Sequence, residues 1–275
     1  MSTMLVSETQ RQAHLRELAL SGFTIIKQVI PPSEVTGVHD SVVATVDRSG
    51  SYSDKGVGFL AGLLNHDRSV VPYLLDDRLM GTIDASLGEH VHLSFASAII
   101  NAPRNARGGW HADWPFNQNN AGHIRAPYPD AVMHLTSLWM LSPFSAETGG
   151  TLVVPGSHRA DDNPTGDNDL DPMEPLSSEI NATGDPGDVL LFDSRLWHAT
   201  AENRTDQPRV ALALRYAPWW LNVDVLRPGT SKRAQMVDEP GARENEVPGL
   251  DPAVYDELPP GVQQLVRHGL RPPSR

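Results

Sequence analysis

From about residue 90 to 218 the chain reads as a succession of short β-type runs, at 91–100, 131–141, 150–154, 188–192 and 210–217. Pro, Gly and Asn turns separate them. Runs this short and this apolar cannot bury themselves singly, so they must pair, and their spacing predicts a β-sandwich or barrel. With 275 residues the chain can bury a full core, and all-β units of that size commonly form one domain. The expected class is therefore mainly β with flanking helices, as a single domain over 1–275. Helices are expected at about 7–87, the β core at about 90–218, and an extension over 219–275.

The flanks carry helical signals. Residues 7–20 place Ala13, Leu15, Leu18, Ala19 and Leu20 in an amphipathic pattern, opened by Ser7 and Gln10 and stopped by Gly22. A β-rich run follows over 23–30, closed by Pro31 and Pro32, and Ser33 then caps a second helix to about Arg48. Residues 49–68 read as loop, 70–87 as helix, and 252–268 as a short terminal helix. The segment 161–186, dense in Asp, Asn, Pro and Gly, is expected to be a long surface loop, serving as a lid or as a solvated insertion.

Charge and composition narrow the partners. The 22 Lys and Arg against 34 Asp and Glu give a net charge of −12, and no basic run occurs, which argues against nucleic acid and against an anionic membrane surface. The chain has no cysteine, hence no disulfide framework, thiolate metal site or cysteine nucleophile. The opening residues lack a basic segment followed by an apolar one, and no apolar stretch approaches the roughly 20 residues that span a bilayer. A cytoplasmic protein with a small-molecule substrate is expected, and its oligomeric state leaves no mark in the sequence. The glycosylation patterns at Asn181-Ala-Thr183 and Asn203-Arg-Thr205 are read as coincidence.

Chemistry concentrates in Gly109-Trp-His-Ala-Asp-Trp-Pro-Phe116. On an extended segment, alternation sends His111 and Asp113 to one face and Ala112 to the other. That is half of the two-histidine, one-carboxylate set of non-haem iron sites. Alone the pair is weak, because 11 His and 34 acidic residues produce such spacings by chance, and a His bonded to a nearby carboxylate is the plain alternative. A third ligand is available in His198, beyond the apolar run 189–192. Arg209 heads the next β run, where its guanidinium can grip a carboxylate with two bonds, or else pair on the surface with Asp206. Thr200 shares the face of His198 if the segment is extended. Trp114, Phe116, Asn117, Gln118 and His123 follow the metal segment and suit a small polar or amphipathic substrate, or form a turn-rich surface. His134 and His158 read as structural, and Trp219-Trp220 either pack beneath the barrel or close the pocket.

Taken together, His111-Ala-Asp113, His198-x-Thr200 and Arg209 are similar to the phytanoyl-CoA dioxygenase-like family of Fe(II)/2-oxoglutarate oxygenases. The stretch from Glu17 through Phe23 and Pro31 to Val35 resembles the family's N-terminal helix–strand–helix. Glu147-Thr-Gly-Gly-Thr-Leu-Val-Val-Pro-Gly-Ser-His158 resembles the strand and turn before its lid region, and Leu190 to His198 its distal-histidine strand. The resemblance covers about residues 8–220. It implies a double-stranded β-helix (jelly roll, cupin-like) in which His111, Asp113 and His198 hold Fe(II). 2-Oxoglutarate would chelate the iron, with its far carboxylate on Arg209 and Thr200. Trp139 matches a pocket-lining position, against a reading as ordinary core, and Asn101 is placed to reach the same cosubstrate. The implied activity is oxidation of a metabolite or natural product, with hydroxylation first, while O2 and 2-oxoglutarate become succinate and CO2. Desaturation, ring closure and epoxidation remain open. Asp113 argues against halogenating relatives, which carry a small residue there. No basic cluster suggests coenzyme A. Competing readings are a zinc hydrolase or isomerase on the same barrel, which has no need of Arg209 and Thr200, and a binding module with a degenerate site.

Overall fold

The computed structural model describes residues 2–113, 127–164, 169–221 and 248–271, with side chains from residue 8 onward. Two antiparallel sheets of unequal size face each other. Helix α1 (Ser2–Ser21) leads into β1 (Phe23–Ile26), followed by α2 (Val35–Ser49), β2 (Ser51–Tyr52), β3 (Gly58–Ala61) and α3 (Asp77–Leu87). The β region then supplies β4 (His92–Asn101), β5 (Leu135–Met140), β6 (Thr151–Val153), β7 (Ile180–Ala182), β8 (Val189–Asp193), β9 (His198–Thr200) and β10 (Arg209–Ala217). Helices α4 (Pro252–Glu257) and α5 (Pro260–Val266) close the described chain. The larger sheet runs β1-β8-β5-β10-β4-β3-β2 and the smaller β7-β6-β9, so sequential strands swap between sheets in the manner of the expected double-stranded β-helix.

Strand β10 shows how the sequence divides two cores. Val210, Leu212, Leu214 and Tyr216 face the helices and pack with Val38, Val42, Leu79, Ile83 and Leu265. Ala211 and Ala213 face the smaller sheet, in a cluster with Leu138, Met140, Phe192 and Val153. Alternation puts Arg209 and Arg215 on that same inner side. The register against β4 shifts between Arg215, opposite Phe95, and Tyr216, opposite Leu93. Ser94 is left over in this bulge, a device that re-aims side chains next to functional sites.

Several boundaries depart from expectation. Helix α1 runs straight through Ser7, which is therefore no cap. Strand β1 ends at Ile26 because Gln28 takes a left-handed φ of 52°. Glu34, not Ser33, precedes α2, and it makes no side-chain cap bond. Residues 49–68 hold β2 and β3, which extend the larger sheet rather than forming only loop. The helix expected over 70–87 breaks into a 3-10 turn at Val71–Tyr73, containing Pro72, and α3, whose Asp76 cap accepts from the amides of Arg78 and Leu79. Pro259 and Pro260 likewise divide the terminal helix. Trp219 and Trp220 are exposed rather than packed beneath the barrel. Among the described residues no helix is long and apolar enough to cross a membrane.

Candidate metal centre

Residues 108–113 run beside β9, joined to it by an isolated antiparallel bridge between His111 and His198. His111 exchanges both backbone hydrogen bonds with His198, at 3.0 and 2.9 Å. Gly108 N donates to Thr200 O and Asp113 N to Ser194 O, at 2.9 and 2.8 Å. This pairing fixes the alternation. Trp110 turns outward into a cluster with Leu152, Val154 and Ala199. His111 and Asp113 turn inward and meet His198, and the ligand atoms of all three lie within 4.8 Å of one another. His198 Nε2 stands 3.8 Å from Asp113 Oδ1, and the two imidazole rings are 4.2 Å apart.

Each ring has its proton assigned by a backbone carbonyl. His111 Nδ1 donates to Gly109 O at 3.1 Å and His198 Nδ1 to Leu196 O at 2.9 Å. Both Nε2 lone pairs are thereby left for a cation, the arrangement in which an outer bond orients a histidine ligand. Burial, followed by the neighbouring His111, lowers the pKa of His198 to about 4, against the opposing pull of Asp113.

The carboxylate is held from both sides. Burial alone would raise the pKa of Asp113, but Arg215, then His198 and His111, and the Thr136 hydroxyl hold it well below the carboxylate range. Arg215 Nη2 donates to Oδ1 at 2.7 Å and Thr136 Oγ1 to Oδ2 at 2.9 Å. The contacts continue inward: Thr136 Oγ1 and Ser194 Oγ are 2.8 Å apart, Ser194 Oγ and His134 Nδ1 2.8 Å, and His134 Nε2 and Ser94 Oγ 2.9 Å, with Ser94 Oγ donating to the Arg215 carbonyl at 3.1 Å. His134 is thus structural, a neutral relay in a buried polar chain; burial and then Arg215 push its pKa down to about 3. Two imidazoles with their Nε2 atoms turned to the cluster and one ionised carboxylate form a donor set that fits a divalent metal.

Arg209 is 4% exposed, on the inner side of β10 and in register with Asn101. Its Nε donates to Gly149 O at 3.0 Å and its guanidinium carbon sits 4.7 Å from the Phe144 ring centre. Among the described residues it makes no ion pair. Asp206, the surface alternative, pairs with Arg104 at 2.9 Å instead. Burial lowers the pKa of Arg209 only to about 10, so it stays charged at neutral pH. The Asn101 Nδ2, also buried, has no hydrogen-bond partner among the described residues. Thr200 shares the inward side of His198 on β9 and lies opposite Thr151, just after Gly149, whose carbonyl holds Arg209. A buried cation and an orphaned amide, side by side in an inner corner, fit an anionic group.

Trp139 is placed elsewhere. On β5 the inward residues are Thr136, Leu138 and Met140; Trp139 faces the helices, fully buried, and donates its indole N–H to Ser137 Oγ at 2.9 Å. The expectation that it lines the pocket fails on strand parity, and Leu138 and Met140 take the inward positions. Trp114, Phe116, Asn117, Gln118 and His123 lie outside the described residues. Asn203, in one glycosylation pattern, is buried, with Nδ2 bonded to the carbonyls of Ala102 and Gln207. Arg215, Thr136 and Ser194 are the contributors that sequence reasoning misses. The parity shared by Arg209 and Arg215 on β10 is the one signal that points to any of them.

Comparison with known proteins identifies the family and the fold. The family described as Phytanoyl-CoA dioxygenase (PhyH) matches residues 18–211. Dioxygenase ALT11 of Alternaria alternata is 27% identical over 218 residues, covering 71% of this chain and 67% of the relative. The structure of HygX from Streptomyces hygroscopicus with nickel and 2-oxoglutarate bound has a TM-score of 0.60 at 18% identity, covering 80% of this chain and 92% of HygX. The epimerase SnoN, in complex with Fe3+, alpha ketoglutarate and nogalamycin RO, has a TM-score of 0.62 at 17% identity, covering 82% and 98%. At these identities the two structures establish a shared fold.

Proposed function

This chain belongs to the phytanoyl-CoA dioxygenase family, and from that premise we propose an Fe(II)- and 2-oxoglutarate-dependent oxygenase that hydroxylates a small molecule. The observation that carries the reading is the placement, on one inner surface, of a three-ligand cluster and a buried guanidinium that has no carboxylate among the described residues. HygX, bound to nickel and 2-oxoglutarate, and SnoN, bound to Fe3+ and alpha ketoglutarate, support it. SnoN is an epimerase, so the fold does not dictate the outcome, and hydroxylation is the specific proposal for this chain.

His111, Asp113 and His198 would hold Fe(II) and leave three coordination positions for cosubstrates. Bound there, the ion and the keto acid supply O2 activation coupled to decarboxylation, yielding succinate, CO2 and a two-electron oxidation. The chain's own residues arrange the setting. Arg215 and Thr136 keep Asp113 ionised and pointed at the cluster. Arg209 would grip the far carboxylate of 2-oxoglutarate, with the Asn101 amide and Thr200 hydroxyl as further donors. Ala211 and Ala213 leave room along β10, while Leu138 and Met140 present an apolar wall that excludes water.

The test is anaerobic addition of Fe(II) and then 2-oxoglutarate to metal-free protein. A visible charge-transfer band, lost in His111→Ala, is the expected result. Its absence, with tight Zn(II) binding in its place, would overturn the reading in favour of non-redox metal chemistry. Product analysis with the substrate should show one added oxygen atom.

A further inference from the structure

The metal-bearing segment has a second edge, and residues 172–179 close it. The peptide group joining Gly109 to Trp110 is held at both ends: its N–H donates to Pro172 O at 2.8 Å, and its carbonyl accepts from His111 Nδ1 at 3.1 Å. Because a peptide is planar, the direction of that carbonyl follows from where Pro172 stands. The orientation of the His111 ring is therefore tied to the strap.

Further contacts fix the strap itself. Trp110 Nε1 donates to Glu174 O at 3.0 Å. Arg107 grips Glu179 with two parallel bonds of 2.9 Å, and the pair is mostly buried, at 18% and 21% side-chain exposure. The Arg107 guanidinium also lies 4.9 Å over the Trp110 ring, and Glu179 Oε2 accepts from Leu176 N. The crossing at Gly109 is close, and a Cβ there would meet Met173 Sδ at 3.3 Å.

We propose that residues 172–179, latched by Arg107 and Glu179, are a positioning strap for the metal ligand His111. The inference rests on the reading that His111, Asp113 and His198 bind a divalent ion. His198 secures one edge of the His111 backbone, and the strap secures the peptide that orients its ring. Releasing the latch lets that peptide rotate, so the imidazole loses its fixed aim.

The experiment is calorimetric titration with Ni(II), alongside thermal unfolding, on wild type, Arg107→Met, Glu179→Gln and the exchanged pair Arg107→Glu/Glu179→Arg. Both single variants should weaken Ni(II) binding about 10-fold, the lower end for bonds that orient a metal ligand. The exchanged pair should return to within about 3-fold of wild type. A through-space charge effect would instead tighten binding on loss of Arg107 and weaken it on loss of Glu179; opposite signs overturn the proposal. So does a lowered melting temperature with unchanged Ni(II) affinity, the mark of a merely structural tie. If a latch variant does not fold, Trp110→Phe decides, since it removes the indole N–H that holds the Glu174 carbonyl while keeping an aromatic ring beside Arg107: weakening of about 3-fold is expected, and unchanged affinity overturns the strap. His111→Ala separates the two levels. If Ni(II) binding survives it, the metal reading fails and takes the strap with it; if binding is lost there but intact in the latch variants, only the strap falls.

Discussion

Arg215 Nη2 lies 2.7 Å from Asp113 Oδ1, so a residue on β10 supplies the counter-charge for a carboxylate on the metal-bearing segment. The carboxylate is oriented and ionised by the protein itself, ahead of any cation. Arg209 and Arg215 thus share one face of one strand and do different work, one gripping a neighbouring carboxylate and the other facing an open corner.

Removing the guanidinium should cost stability. Arg215→Met leaves Asp113 buried with Thr136 as its remaining side-chain donor of the two described, and loss of one partner of a buried pair, reduced for the partial exposure of Arg215, costs about 2–3 kcal/mol. The folded pKa of Asp113 is depressed, so its contribution is present above the unfolded carboxylate value and lost as pH falls through the folded one. In Arg215→Met that loss should begin at higher pH. Urea unfolding at pH 7 and an acid titration followed by near-ultraviolet circular dichroism measure both effects.

Asp113→Ala and Asp113→Asn should separate folding from metal binding. Alanine strands Arg215 and removes the acceptor for Thr136, at about 3 kcal/mol. Asparagine keeps the shape and one acceptor, and should fold to within about 1.5 kcal/mol of wild type while binding Ni(II) at least about 100-fold more weakly. Equal Ni(II) affinity in Asp113→Asn would remove this residue from the ligand set.

Arg209→Met should weaken 2-oxoglutarate binding about 100-fold, the loss expected when one partner of a buried charge pair is truncated. Ni(II) affinity should stay within about 2-fold, because Arg209 touches none of the three ligands. Its urea midpoint should hold or rise, since a desolvated cation is replaced by an apolar side chain. Titration of the charge-transfer band and a denaturation curve report the two outcomes.

Acid should destabilise the metal-free protein in a defined window. His134 and His198 are buried neutral, with pKa values lowered to about 3 and about 4. Each contributes stability that is complete above the unfolded value of about 6.5 and is lost as pH falls toward the folded one. Between pH 6.5 and 5 the loss is about 1.5 kcal/mol per histidine. Unfolding free energies that are flat across that interval would contradict the buried, neutral assignment.

The sequence discloses the inward residues wherever one strand face is marked by polarity. His111-x-Asp113 and His198-x-Thr200 are readable because alternation needs only a period of two. Arg209 is readable because a cation opening an apolar strand is conspicuous. Trp139 is misplaced because every residue of β5 is buried, and a strand apolar on both faces carries no phase. The Arg215–Asp113 pair bridges 102 positions, and nothing local to either residue announces the other. Strands β2 and β3 hide in a Gly- and Ser-rich stretch because β3 is held by β4, and β2 by β3, rather than by their own propensity. The strap at 172–179 is polar enough to pass for solvated loop, and only its bonds to Trp110 and Arg107 show otherwise.

Strand β10 also limits how relatives of this chain can diverge. Arg209, Ala211, Ala213 and Arg215 alternate with Val210, Leu212, Leu214 and Tyr216, and β4 and β5 pin it on both sides. Inserting or deleting one residue between the two arginines would reverse the faces of everything beyond it, carrying a guanidinium into the helix-facing core and a leucine or valine into the reaction chamber. Outside its two arginines, β10 can therefore exchange residues of like character but cannot change in length, and gaps in an alignment of relatives should gather in 201–208 and avoid 209–217.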